Sequence, residues 1–137
     1  AEELRFTRSA KDVLARHNGA KLFGGAMSLY GVARNHLNRR DSFSLPPFNI
    51  EHENEGWSHE KARFLVVGGY SATGLRVCVD RSTDEATAFS RDGATAVARW
   101  GNISDWLRDE IARLWLLFEV DGRRKDTSGS LEPAQCQ

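Results

Sequence analysis

Between residues 64 and 100 four short apolar runs are separated by turn signals, and an amphipathic helix pattern follows at once. No other stretch limits the fold as strongly. Phe64-Leu65-Val66-Val67 is continuously apolar, as in a strand covered on both faces. Leu75, Val77 and Val79 alternate with Arg76, Cys78 and Asp80, the pattern of a half-buried strand. Ala86 to Arg91 and Ala94 to Trp100 flank Asp92-Gly93, a dipeptide suited to a type I′ turn with positive φ at both positions. Strands this close in sequence pair antiparallel with their neighbours, which predicts a meander.

The helix pattern begins after Asn102, a good N-cap residue with Asp105 three positions on. Ile103, Leu107, Ile111, Leu114 and Phe118 step by three or four and predict one apolar stripe. Leu116 lies opposite that stripe, so the "LWLLF" end at 114–118 is apolar nearly all round. It is buried on two sides or it meets a partner, including a second copy of the chain; monomer and homodimer both stay open. Trp106 and Trp115 flank the stripe and are expected to be partly core, with Trp100 plugging the sheet against the helix. Gly122 is the expected stop.

Towards the N-terminus, Ser9-Ala10-Lys11-Asp12 reads as a capped helix start, with Ala10, Val13, Leu14 and His17 on one face and Asn18-Gly19 as the stop. Leu22-Phe23 and Met27 to Val32 read as short strands around Gly24-Gly25. Periodicity then fades from Ala33 to Glu60, through Pro46-Pro47 and an acidic stretch. The fold class expected is therefore α+β: an antiparallel β-meander packed against a long C-terminal helix and a short N-terminal helix. One domain over 1–122 is expected, with 123–137, which is polar and holds Pro, Gly and Ser, as a disordered tail.

Composition excludes several functional classes. The 137 residues hold 19 Lys and Arg against 19 Asp and Glu, so charge gives no reason to expect a nucleic-acid or acidic-membrane partner. No run approaches the ~20 apolar residues that span a bilayer. No basic segment precedes an apolar one at the start, so no signal peptide is read. Cys78 in a strand and Cys136 in the tail form neither a disulfide framework nor a zinc site, and a reducing cytoplasm is expected.

The stretch "VVGGYSATGLRVCVD", residues 66–80, holds the glycines nearest in spacing to a catalytic loop. Gly69 and Gly74 have the separation of a phosphate-binding G-x-x-x-x-G-K-[ST] loop. Leu75 stands where the lysine is needed, and a strand follows where a helix N-terminus would supply free amides. Ser71 is not in a G-x-S-x-G elbow, since Thr73 takes the second glycine position. The loop reads as a turn between strands, with Gly68-Gly69 as a bulge or a close backbone approach. His52 and His59 lie among Glu51, Glu53, Glu55 and Glu60, but through an irregular loop without the short fixed spacing of a metal site. A solvated acidic loop is expected there, with no metal and no cofactor. Trp57 in the same loop either pins it to the body or anchors a partner.

The order of the pieces resembles the SUKH superfamily, which includes a fungal cell-wall synthesis regulator and many bacterial immunity proteins. The matching pieces are Asn18-Gly19 closing a helix, Leu29-Tyr30-Gly31, the glycine hairpin leading to Asp80, and a terminal helix with Trp106-Leu107. Together they span roughly residues 13–114. The resemblance implies an α+β domain without enzymatic activity that binds and neutralises a cognate polymorphic toxin, often a nuclease or nucleic-acid deaminase. Carboxylates would then pair with the toxin's phosphate-holding basic groups. It puts forward Glu51, Glu53, Glu55 and Asp80 as the acids, and Tyr30, Trp57 and Tyr70 as aromatic anchors. The fungal relatives imply the alternative, a regulatory scaffold with several protein partners.

Overall fold

The apolar runs do pair each with its neighbour in sequence, and the N-terminal hairpin extends the same sheet. The computed structural model describes residues 6–17, 19–31, 50, 54, 63–93 and 95–118. The strands are β1 (Ala20–Leu22), β2 (Met27–Leu29), β3 (Phe64–Tyr70), β4 (Arg76–Asp80), β5 (Ala86–Phe89) and β6 (Ala96–Trp100). They form one six-stranded sheet in the order β1-β2-β3-β4-β5-β6, antiparallel throughout. Two helices, α1 (Arg8–Arg16) and α2 (Ile103–Trp115), complete an α+β fold among the described residues. None of the described helices is long and apolar enough to cross a membrane.

A bulge in β3 decides what faces α2. Val66 pairs with Cys78, but Gly68, not Val67, pairs with Val77. The extra residue reverses the alternation. Leu65, Gly68 and Tyr70 therefore share the helix-facing side, and Gly69 turns to the other. A Cβ on Gly68 would lie 2.5 Å from Trp106 Cη2 and 2.5 Å from the Ser28 carbonyl oxygen. The missing side chain is what lets the indole lie against the strand.

Several expectations shift in detail. β4 is not half-buried: Cys78 and Asp80 are covered as fully as Val77 and Val79, because Phe64, Val66, Thr87 and Phe89 are buried with them on the side away from the helices. The β5–β6 turn holds Gly93 at φ +78, while Asp92 keeps negative φ, so a type I′ pair does not form. Gly93 N–H instead donates to Ser90 O at 2.8 Å, and Ser90 N–H to Thr95 O at 2.8 Å, closing a longer loop. The cap of α1 is Thr7, whose Oγ1 accepts from Ala10 N–H at 3.3 Å. Ser9 is drawn away: its N–H and hydroxyl both donate to the Asp84 carboxylate, at 3.0 and 2.7 Å, tying α1 to the β4–β5 turn.

On α2, Asn102 caps as expected, accepting from Asp105 N–H at 2.9 Å. The inward stripe is rotated from the one read off the sequence. Ile103, Trp106, Glu110 and Leu114 are buried, whereas Ile111 is exposed. A glutamate takes a core position because Tyr70 and Arg113 hold both of its oxygens. The helix ends at Trp115 and Phe118 closes a last turn, with Gly122 outside the described residues.

The first half of β3 runs beyond the end of β2. There Asn54 stands in for a neighbouring strand. Its Nδ2 donates to Val66 O at 2.9 Å and to Ile50 O at 2.8 Å, and its Oδ1 accepts from Val66 N–H at 2.8 Å. Ile50 is fully buried and its N–H donates to Gly31 O at 2.9 Å. The rest of 32–62, like the tail 123–137, lies outside the described residues.

Candidate functional site

A buried polar chain links the sheet to the last turns of α2. Trp106 Nε1–H donates to Tyr70 Oη at 3.0 Å, and the Tyr70 hydroxyl donates to Glu110 Oε1 at 2.5 Å. Arg113 closes a bidentate pair on Glu110, with Nε at 2.8 Å from Oε2 and a terminal nitrogen at 3.0 Å from Oε1. Burial pushes the Tyr70 phenol well above its usual range, and the Glu110 carboxylate beside it pushes in the same direction. Burial alone would lower the Arg113 guanidinium, but Glu110 outweighs it and the net shift is upward. Tyr70 thus stays protonated and donating, and the chain of contacts fixes the rotation of α2 about its own axis.

Fixing that rotation points a second row of apolar side chains outwards. Leu107 is half-buried, Ile111 is exposed, and Trp115 is 70 % exposed. Leu116, at 69 %, extends the row. Phe23, from the β1–β2 loop, closes one side of this surface. Its ring stacks on Phe118 at 5.1 Å between centroids and meets Trp115 edge-on at 6.4 Å. Phe23 sits at φ +54, an uncommon conformation for a bulky residue, which the flanking Gly24 and Gly25 share at +67 and +94. The expectation that Trp115 is partly core fails here, since the helix turns that residue away from the sheet. The open choice at Leu116 resolves as a solvent-facing side chain.

The residues put forward from the sequence fall into two groups. Glu51, Glu53, Glu55 and Trp57 lie outside the described residues, as do His52 and His59. Tyr30, Tyr70 and Asp80 are all buried, and their roles in the structure are internal. Tyr70 is held in the chain just described. Tyr30 follows β2, donates its N–H to Val67 O at 2.8 Å, and places its hydroxyl over Gly69. Asp80 accepts at Oδ1 from the Ser82 hydroxyl at 2.7 Å, Ser82 N–H at 2.8 Å and Thr83 N–H at 3.3 Å. Its Oδ2 accepts from Arg63 Nε at 2.9 Å. Burial by itself would raise the Asp80 carboxyl, but the donors from Ser82, Arg63 and Thr83 outweigh it and hold the group down at about 2. Burial pushes the Cys78 thiol up, which keeps it protonated and unreactive.

The glycine hairpin is a turn. Tyr70 N–H donates to Leu75 O at 2.9 Å and Gly74 N–H to Tyr70 O at 3.0 Å. Among the described residues no group of three or more His, Cys, Asp or Glu is placed to hold a metal. Comparison with protein-family models, curated proteins and solved structures finds no match to this chain.

Proposed function

We propose that the chain is a non-enzymatic, SUKH-like protein-binding module that acts as an immunity protein, neutralising a cognate bacterial toxin of the nuclease or nucleic-acid deaminase type. The observation that supports binding is the exposed surface of Ile111, Trp115 and Leu116 beside Phe23 and Phe118. Exposed tryptophan and leucine next to one another gain free energy when covered, and Trp is enriched among residues that dominate interfaces. The α+β sheet order and the position of Leu29-Tyr30-Gly31 at the end of β2 support the choice of family. The partner closes over the end of α2 and occludes its own active site against this module.

The test uses the tagged chain and its Leu116→Glu variant as baits in lysate of source cells, followed by assays of the captured protein. One partner at equal stoichiometry is expected, lost with the variant, with nuclease or deaminase activity that the chain inhibits. A partner without such activity, or one captured equally by the variant, overturns the proposal. Light scattering separates a second copy as the occupant: a wild-type dimer that Leu116→Glu dissociates would assign the surface to self-association.

A further inference from the structure

We infer that the outer face of α2 pairs with the same face of a second copy of the chain, antiparallel across a two-fold axis. The spacing on that face carries the inference. Ser104, Arg108, Ile111 and Trp115 step by four, three and four, the rhythm of residues that meet a second helix along a seam. The sheet does not use this seam, because α2 buries Ile103, Trp106, Glu110 and Leu114 on its other side. All four seam residues are exposed, Ile111 at 36 % and Trp115 at 70 %, and so is Ala112 beside them.

The seam holds both halves of each contact that a two-fold pair needs. In an antiparallel pair with its axis level with Arg113, Ile111 lies against Trp115 of the second copy, and the symmetry makes that contact twice. Ala112 is small and leaves room for the indole. Arg108, one turn before Ile111, extends the contact over the same ring. Its guanidinium is held at the edges, with Nε 3.2 Å from Asp109 Oδ1 and a terminal nitrogen 3.1 Å from Asp105 Oδ1. A planar guanidinium bonded at its edges can still stack its flat face on an aromatic ring. A parallel pair would set Arg108 against its own copy and align the two helix dipoles, which disfavours it. The chain holds 19 Lys and Arg against 19 Asp and Glu, so two copies approach without net repulsion.

One helix from each copy supplies the contact, which places the pair among small, weak interfaces. The seam shares Ile111 and Trp115 with the surface assigned above to the toxin, so a toxin and a second copy exclude one another. The inference rests on the exposed face of α2 and not on the toxin reading.

The test is sedimentation equilibrium of the full chain from micromolar to millimolar concentration. A reversible monomer–dimer equilibrium is expected. Trp115→Ala should weaken it by about tenfold or more, as for a residue that dominates an interface. Arg108→Gln should weaken it less. Ala112→Glu should abolish it while circular dichroism stays that of the parent, because glutamate is a good helix former at an exposed position. An isotope-filtered NOE spectrum of mixed labelled and unlabelled chain should show Ile111 methyl to Trp115 ring contacts between copies. A chain that stays monomeric at millimolar concentration, a dimer that Ala112→Glu leaves unchanged, or a dimer without those contacts would overturn the inference. A dimer with these properties and no captured toxin would leave it standing without the toxin reading, and a captured toxin with a strictly monomeric chain would do the reverse.

Discussion

Trp106 and Trp115 lie on the same helix, and the sheet treats them in opposite ways. Trp106 is fully buried, rests against the bare Cα of Gly68, stands 6.5 Å from the Trp100 ring, and has its indole N–H satisfied by Tyr70. Trp115 is 70 % exposed and touches Phe23 only by an edge. The side chains are identical, so the environment makes the difference. Burying an indole needs both space for the ring and an acceptor for the N–H. The bulge in β3 supplies both at Trp106, by turning Gly68 and Tyr70 to the helix side together. Among the described residues nothing equivalent reaches Trp115, whose surface stays open.

The largest effect expected is from Trp106→Ala, which should lower unfolding free energy by about 3–5 kcal/mol in urea titrations. A loss near 1 kcal/mol would mean that the core closes over the space, and the contrast would weaken. Gly68→Ala should come next, at about 3 kcal/mol, because the added methyl meets Trp106 and a backbone carbonyl and neither yields easily. Tyr70→Phe removes the acceptor of the indole N–H and a donor to Glu110 while preserving shape. The expected cost is about 2 kcal/mol. A neutral result would show the polar chain to be incidental to the burial of Trp106.

Asp80 gives a buried polar group remote from both tryptophans. Its folded pKa of about 2 lies below the ordinary carboxylate value, so its contribution is complete above the unfolded pKa and is lost as pH falls through about 2. The shift corresponds to about 2 kcal/mol. Asp80→Asn retains some of the hydrogen bonds, so it should cost about 1 kcal/mol near neutrality and flatten the acid limb of stability against pH. An unchanged acid limb would assign that limb to other carboxylates. The smallest effect belongs to Trp115→Ala, within about 0.5 kcal/mol of the parent. A cost near that of Trp106→Ala would erase the comparison and place Trp115 in the stable core.

Much of this contrast is hidden in the sequence. Turn signals and apolar runs between 64 and 100 were enough to place the meander, because each strand pairs with the next and long-range choices are few. The cap at Asn102 was equally legible, being local. The stripe on α2 was not. Periodicity put Ile111 inward and gave no reason to bury Glu110, because a buried carboxylate is affordable only with partners such as Tyr70, forty positions away. One cross-strand row was hidden for the same reason. Ser28, Gly69 and Arg76 become a row only once the register, including the bulge, is known. Residue types alone drew attention to Tyr30, Tyr70 and Asp80, whose polar atoms serve the fold. A single cue did survive: the all-round apolar end at Leu116 marked the surface that the structure leaves open.

Asn54 carries a consequence for how the chain behaves in concentrated solution. Its side-chain amide occupies the N–H and C=O of Val66, in the middle of the buried run Phe64 to Val67. Without that amide, the outward N–H and C=O of Val66 would have no partner among the described residues, and an unpaired apolar strand is the template on which another molecule's strand adds and aggregation starts. Asn54→Asp would keep the shape but trade a donor for a carboxylate facing the carbonyls of Val66 and Ile50. One side chain thereby guards the sheet against growing beyond its own chain.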